Sequence, residues 1–176
     1  MVKLTSIAIL KYNGADREPY LLGFASDLST FGYFQRGTVK EMLTFVSRTV
    51  ARKTQIGQRQ TVQQDEYYCH AFNKDGLVGI AFVDHDYPAR AGFCVVNQVL
   101  EEFTLQRGEA WRGATADAQD ALPVLETALT KYQVWAGHAA RTAAGRRVGG
   151  RDLQEGGAPS RARAAALQEA WAVSVA

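Results

Sequence analysis

Cysteine is scarce in this chain: only Cys69 and Cys94 occur among 176 residues. Neither sits in a CxxC spacing, so no disulfide framework is expected, and a reducing, cytosolic setting fits best. Long apolar runs are missing as well. No segment approaches the ~20 apolar residues of a membrane span. The start, Met-Val-Lys-Leu-Thr-Ser-Ile, lacks a basic region followed by an apolar run, which argues against a signal peptide. The last four residues, Val173 to Ala176, contain no cysteine, so a prenylation box is not expected there. Also absent are a P-loop, a dinucleotide fingerprint and a nucleophile elbow, which removes the commonest signatures of nucleotide and ester chemistry.

The small net charge of +2 hides an asymmetry. Residues 1–133 carry 14 Lys+Arg against 15 Asp+Glu, whereas residues 134–176 carry six Arg, no Lys and three acids. The second stretch is rich in Ala and Gly and lacks Phe and Tyr. Two parts so different rarely share one core. The expectation is one domain over 1–133 and a mostly disordered Arg/Ala/Gly-rich tail over 134–176, in which Gly137 and the later glycines break any helix and only 160–173 suits a short Ala-rich one.

Within the domain, residues 3–11 and 20–25 read as two strands around the Asn13-Gly14 turn. Thr38-Val-Lys-Glu41 has the capping-box pattern, which predicts a helix starting there. Val39, Met42, Leu43, Val46 and Val50 then recur at i, i+3, i+4, i+7 and i+11, one apolar stripe. Phe45 falls roughly 100° or more from the centre of that stripe. A large aromatic there suits a binding surface, and equally suits cover by a neighbouring strand or loop. Residues 59–64 form a polar strand of edge type, 67–72 the next, and 77–83 a continuously apolar strand buried on both faces. A helix opening at Tyr87-Pro88 carries Phe93, Val96, Val99, Leu100 and Phe103. A loose loop from Gly108 to Ala118 precedes a third helix with Leu122, Leu125, Leu129 and Tyr132 on one face. Short connections between consecutive strands imply an antiparallel sheet with helices on its faces, an α+β fold.

Residues with the side chains for catalysis or metal binding are few. Cys69 and His70 are neighbours on a strand, so their side chains point to opposite faces and cannot form a dyad. Asp84-His85-Asp86 has the wrong spacing for zinc and reads as an acidic turn capping the second helix. No catalytic residue, metal or cofactor is called for, and no nucleic-acid partner.

Taken together, Leu28-Ser-Thr-Phe-Gly-Tyr-Phe-Gln-Arg36, Glu41-Met-Leu-Thr-Phe45, Gly57-Gln-Arg59, Tyr67-Tyr-Cys-His70, Asp86-Tyr-Pro88, Leu100-Glu-Glu-Phe103 and Lys131-Tyr-Gln133 resemble the longin domain of an R-SNARE, a synaptobrevin-like v-SNARE. The subfamily anchored by C-terminal lipids, without a transmembrane helix, is the nearest in pattern. The resemblance covers about residues 1–133. It implies a profilin-like fold, a five-stranded antiparallel sheet between one helix and two, and a role in vesicle-mediated transport and membrane fusion. It further implies a groove between the first helix and the third strand that takes a SNARE segment, the protein's own or a partner's, or a lipid acyl chain. Carried onto this sequence, the groove residues are Met42, Phe45, Val46, Arg59, Thr61 and Val62. Family members continue past the Lys-Tyr-Gln segment into a SNARE coiled coil with a central Arg layer and end in a lipidated cysteine. Here an Arg/Ala/Gly tail follows Gln133 instead. The implied location is cytoplasmic, peripheral to Golgi and endoplasmic-reticulum membranes in a lipidated longer form. A different class of reading, a scaffold subunit of a vesicle tethering or coat complex, needs no coiled coil.

Overall fold

The computed structural model describes residues 3–64 and 66–144. The two strands of the first hairpin are β1 (Leu4–Lys11) and β2 (Tyr20–Ser26). After them come α1 (Arg36–Lys53), β3 (Arg59–Gln64), β4 (Tyr67–Lys74), β5 (Leu77–Asp84), α2 (Ala89–Arg107) and α3 (Leu122–Ala144). The strands form one sheet in the order β2-β1-β5-β4-β3, every neighbouring pair antiparallel. This is the α+β, profilin-like longin arrangement: α1 covers one face, α2 and α3 the other.

The alternation of each strand divides the core in two. Ala8, Leu10, Cys69, Ala71, Val78, Ile80 and Phe82 pack with the α1 stripe. Leu4, Ile7, Ile9, Ala81 and Val83 pack with Val95, Val96, Val99, Leu100 and Phe103 of α2 and with Leu125 and Leu129 of α3. As expected, β5 is buried from Leu77 to Val83. All five stripe residues of α1 are 9% exposed or less, and at roughly 1.5–3 kcal/mol per buried side chain they fix which face of the helix meets the sheet. The β4–β5 turn is tighter than the sequence suggests. Asn73 pairs with Val78 and Lys74 with Leu77, leaving Asp75 and Gly76 as a two-residue turn with φ of 55° and 94°. Both central residues are left-handed, the demand of the type I′ hairpin, which glycine meets without a Cβ clash.

Four expectations are corrected. α1 begins at Arg36, continuing a 3-10 turn over Tyr33–Gln35, so Thr38 lies inside the helix and caps nothing. Gln35 is the N-cap of α1 without a side-chain cap bond to it; its side chain instead accepts the Gly32 N–H of the 3-10 turn at 3.3 Å. The N-cap of α2 is Pro88 and not an acid of the 84–86 turn. It carries no side-chain bond, and His85 pairs with Asp86 at 3.1 Å. The 108–118 segment is not loose: a 3-10 turn over Ala110–Gly113 buries Trp111 in the α2–α3 core. Finally, α3 runs through Gly137 to Ala144. An interior glycine costs only about 1 kcal/mol against alanine, too little to stop a helix among good formers. The suggested helix over 160–173 lies outside the described residues.

Gln133 ties α3 to the start of the sheet. Its Oε1 accepts the Leu4 N–H at 3.1 Å while its Nε2 donates to the Leu4 carbonyl, so one amide satisfies both backbone groups of that residue.

Candidate functional site

The flank of α1 that carries Phe45 is built by three constraints. The buried stripe sets the helix's rotation. Lys40 and Thr44 then face the β2 edge, where they line a cleft with residues of β2 and α3. Each residue turns the helix by about 100°, which carries Phe45 round towards the opposite flank, with Met42 and Thr49 as its i−3 and i+4 neighbours. The ring is 60% exposed. Of the two readings left open by periodicity, uncovered surface or covered core, the structure selects the first.

On the sheet side, β3 is the outermost strand among the described residues and pairs there only with β4. Its approach is fixed by a buried polar knot. The Thr54 hydroxyl donates to the Val50 carbonyl at 2.7 Å and to Gln60 Oε1 at 3.0 Å, and Asn73 Nδ2 donates to the Thr54 carbonyl at 2.8 Å. Ile56, in the same connection, is 60% exposed. Val62 packs half-buried against the α1-side core. Below Met42 lies a cavity of about 20 Å³ bounded by Phe31, Val39, Tyr67, Phe82 and the unpartnered Thr5 hydroxyl. That is room for roughly one water.

The six residues carried over from the resemblance therefore do not converge. Phe45 is exposed on α1, and Val62 packs half-buried against the α1-side core. Met42 and Val46 are stripe residues, 9% and 1% exposed, and support the flank from beneath. Arg59 and Thr61 belong to the other face of the sheet. The Arg59 guanidinium lies 4.9 Å from the Phe72 ring and 5.9 Å from Phe93 of α2, and Thr61 Oγ1 is 3.0 Å from His70 Nδ1. The reason is the two-residue period of a strand, which sends 59 and 61 one way and 60 and 62 the other. Gln60, which bonds Thr54, shares the side of Val62. Sequence reasoning missed Tyr33 and Phe34, an edge-to-face pair 79% and 92% exposed at the entrance to α1. Their place in the Phe-Gly-Tyr-Phe run was visible, but nothing in its spacing separates buried Phe31 from its exposed neighbours.

Titratable groups near the site are structural in their surroundings. Cys69 is fully buried in the α1-side core, and burial pushes its thiol far above the ordinary range. His70 points to the opposite face, as the strand alternation requires, and burial pushes its imidazole down to about 4. Among the described residues no three His, Cys, Asp or Glu side chains come together as a metal site would require. No helix of the described residues is long and apolar enough to cross a membrane.

Comparison with known proteins decides the family. Residues 28–123 match the Longin family, described as a regulated-SNARE-like domain. The chain is a member of the longin family. This longin chain is 46% identical over 132 residues to the VAMP-like protein YKT61 of Arabidopsis thaliana, a match covering 75% of the chain and 66% of the relative. It is 40% identical over 134 residues to YKT62 of the same plant, and 40% over 134 residues to the synaptobrevin homolog ykt6 of Schizosaccharomyces pombe, with the same coverage. The matched stretch thus spans 66% of the length of these relatives. Several motif residues acquire a structural account. Gln133 binds Leu4, Gln35 is the N-cap of α1, and Tyr87 is buried between α2 and the sheet.

Proposed function

We propose that residues 1–133 are the regulatory and targeting module of an R-SNARE acting in vesicle-mediated transport and membrane fusion, and that its work is binding, without catalysis. The guest is a SNARE segment, from a partner or from a longer form of this protein, or an acyl chain, received on the flank between α1 and β3. The observation that carries this reading is Phe45, 60% exposed on a helix whose other large apolar residues are buried, together with β3, an outermost strand whose outer edge has no partner strand among the described residues. An extended segment that pairs with β3 gains main-chain hydrogen bonds, while its apolar side chains lie on Phe45 and Val62. The 20 Å³ hole under Met42 favours a segment over an acyl chain, since a chain-sized guest must first displace Met42. Gln133 supports a functional boundary there, being the last of the described side chains to hydrogen-bond the sheet. A lipidated longer form would place the module on the cytoplasmic side of Golgi and endoplasmic-reticulum membranes.

The test is affinity for a synthetic heptad SNARE segment and, separately, a labelled palmitoyl chain. Phe45→Ala should weaken binding about tenfold, the roughly 1.4 kcal/mol of a modest interface anchor. An exposed position should leave the melting temperature nearly unchanged. Equal affinity of native chain and variant for both probes refutes the flank as the binding site.

A further inference from the structure

The opposite edge of the sheet holds a feature that the SNARE reading does not use. Between α1, β2 and α3 opens a cleft of about 510 Å³, within the usual range of ligand sites. Its floor is apolar, formed by Leu21, Phe24 and Leu129, and its two walls carry Lys40 on α1 and Glu126 on α3. Among the described residues no ion pair engages either charge. The Thr44 and Thr130 hydroxyls that flank them donate to carbonyls of their own helices, at 2.9 and 3.1 Å.

The backbone of β2 gives the cleft its character. Between Ile9 and Leu10 the β1–β2 register slips, so Leu21 and Leu22 both turn groups outward. Those groups are satisfied by the chain's own 117–121 segment. Ala118 N–H donates to the Leu21 carbonyl at 2.7 Å, Ala121 N–H to the Leu22 carbonyl at 2.9 Å, and Leu21 N–H to Asp117 Oδ1 at 2.9 Å. Beyond the bulge the alternation resumes. Gly23 and Ala25 pair inward with Ile9 and Ile7, and Asp27 N–H donates to the Thr5 carbonyl at 2.8 Å. Phe24 and Ser26 must therefore aim their N–H and C=O groups outward. Among the described residues nothing bonds them, and both residues line the cleft.

We infer that this edge is a second docking site, which takes an extended, alternating acidic segment of a partner protein as a short added strand. Pairing with Phe24 and Ser26 supplies the main-chain bonds. The two-residue period then assigns the side chains. Those on the α1 side meet Phe24, Lys40 and Thr44, which select Glu or Asp. Those between them meet Leu129, Leu122 and Glu126, which select an aliphatic or basic residue. The proposal is independent of the Phe45 flank.

The probe is the peptide acetyl-Glu-Leu-Glu-Lys-Glu-amide, titrated into the full chain while backbone amide shifts are followed. The largest shifts should fall on Phe24 and Ser26 and persist in a Phe45→Ala background. The charge-swapped peptide acetyl-Lys-Leu-Lys-Glu-Lys-amide should bind more weakly. Lys40→Glu, a surface change, should weaken the acidic peptide about threefold, as expected of an exposed ion pair, and strengthen the swapped one. Ser26→Pro removes only an outward N–H, a position where an edge strand tolerates proline, and should abolish the Phe24 shift. Equal binding of the two peptides to the native chain, shifts confined to the Phe45 flank, or an unchanged affinity in Lys40→Glu overturns the assignment. Concentration-dependent shifts of Phe24 and Ser26 without peptide would identify a second copy as the occupant and overturn it too.

Discussion

The two ends of the sheet handle an exposed edge in opposite ways. At β2 the chain folds back on itself: residues 117–121 bond to Leu21 and Leu22, Arg48 of α1 clamps Asp117 at 2.5 Å, and α3 closes over the apolar floor. At β3 no such cover exists among the described residues. The strand is instead polar, Arg-Gln-Thr-Val-Gln-Gln, which keeps a bare edge from recruiting stray copies. Its support comes from both faces: Thr61 leans on His70 and Arg59 on Phe72 and Phe93, while Gln60 bonds Thr54 and Val62 packs on the α1-side core. The difference teaches where affinity can come from. A guest at β3 must draw mainly on main-chain bonds plus the Phe45 ring, whereas a guest at β2 finds an apolar floor and paired charges but only two free residues.

The sharpest way to break the β3 side is Gly92→Ala. A Cβ there would stand 2.4 Å from His70 Cδ2, inside a rigid buried ring, so α2 must lift from β4. A loss of about 3 kcal/mol is expected by chemical denaturation, typical of overpacking a core, with amides of β3 and β4 exchanging faster than those of β2.

Acid probes the same support less severely. His70 has a folded pKa of about 4, below its ordinary 6.5, so the unfolded chain binds the extra proton between those values. Stability from this residue is intact above about 6.5 and falls as pH drops towards 4, by up to roughly 3 kcal/mol. Asp84 runs the other way. Burial raises its carboxyl from 3.8 to about 6, so its contribution is greatest at low pH and is lost as pH rises through that window. The two slopes oppose each other in the native chain. Asp84→Asn should therefore steepen the acid-side loss of stability between pH 6.5 and 4, and His70→Gln should reverse its sign. A curve unchanged in both variants would show that neither group carries the linkage.

The smallest effect belongs to the covered edge. Arg48→Ala removes the bonds to Asp117 and to the Pro19 carbonyl at 3.0 Å. The Arg48 hydrogen bonds hold the Asp117 carboxyl below its usual range, so the pair is formed at neutral pH. Partly exposed, it should contribute about 1 kcal/mol, visible as faster exchange at the Leu21 amide with β3 unaffected.

Much of this architecture could be read before any coordinates. The i, i+3, i+4 spacing from Val39 to Val50 located the buried face of α1, and the apolar run from Leu77 to Val83 located the sheet's centre. Phe45 was legible for the same reason: its angle departs from a stripe that is otherwise regular. What the sequence hid depends on distant partners. That Trp111 fills a core and that the 117–121 segment covers β2 both rest on contacts formed only after folding. Of the six carried-over residues, Met42 and Val46 are buried under α1, and Arg59 and Thr61 belong to the other face of the sheet. A motif records that a strand matters, while its alternation decides which side chains reach a guest.

Gln133 has a consequence for how this module is joined to other chains. Because its amide grips Leu4 from both sides, the polypeptide leaves the sheet beside the point where it entered it. Entry and exit side by side are what let a unit be spliced into a surface loop of a host without stretching that host apart. The same adjacency means that the stretch of α3 that follows this glutamine, on to Ala144, sets out from beside the first residue of β1.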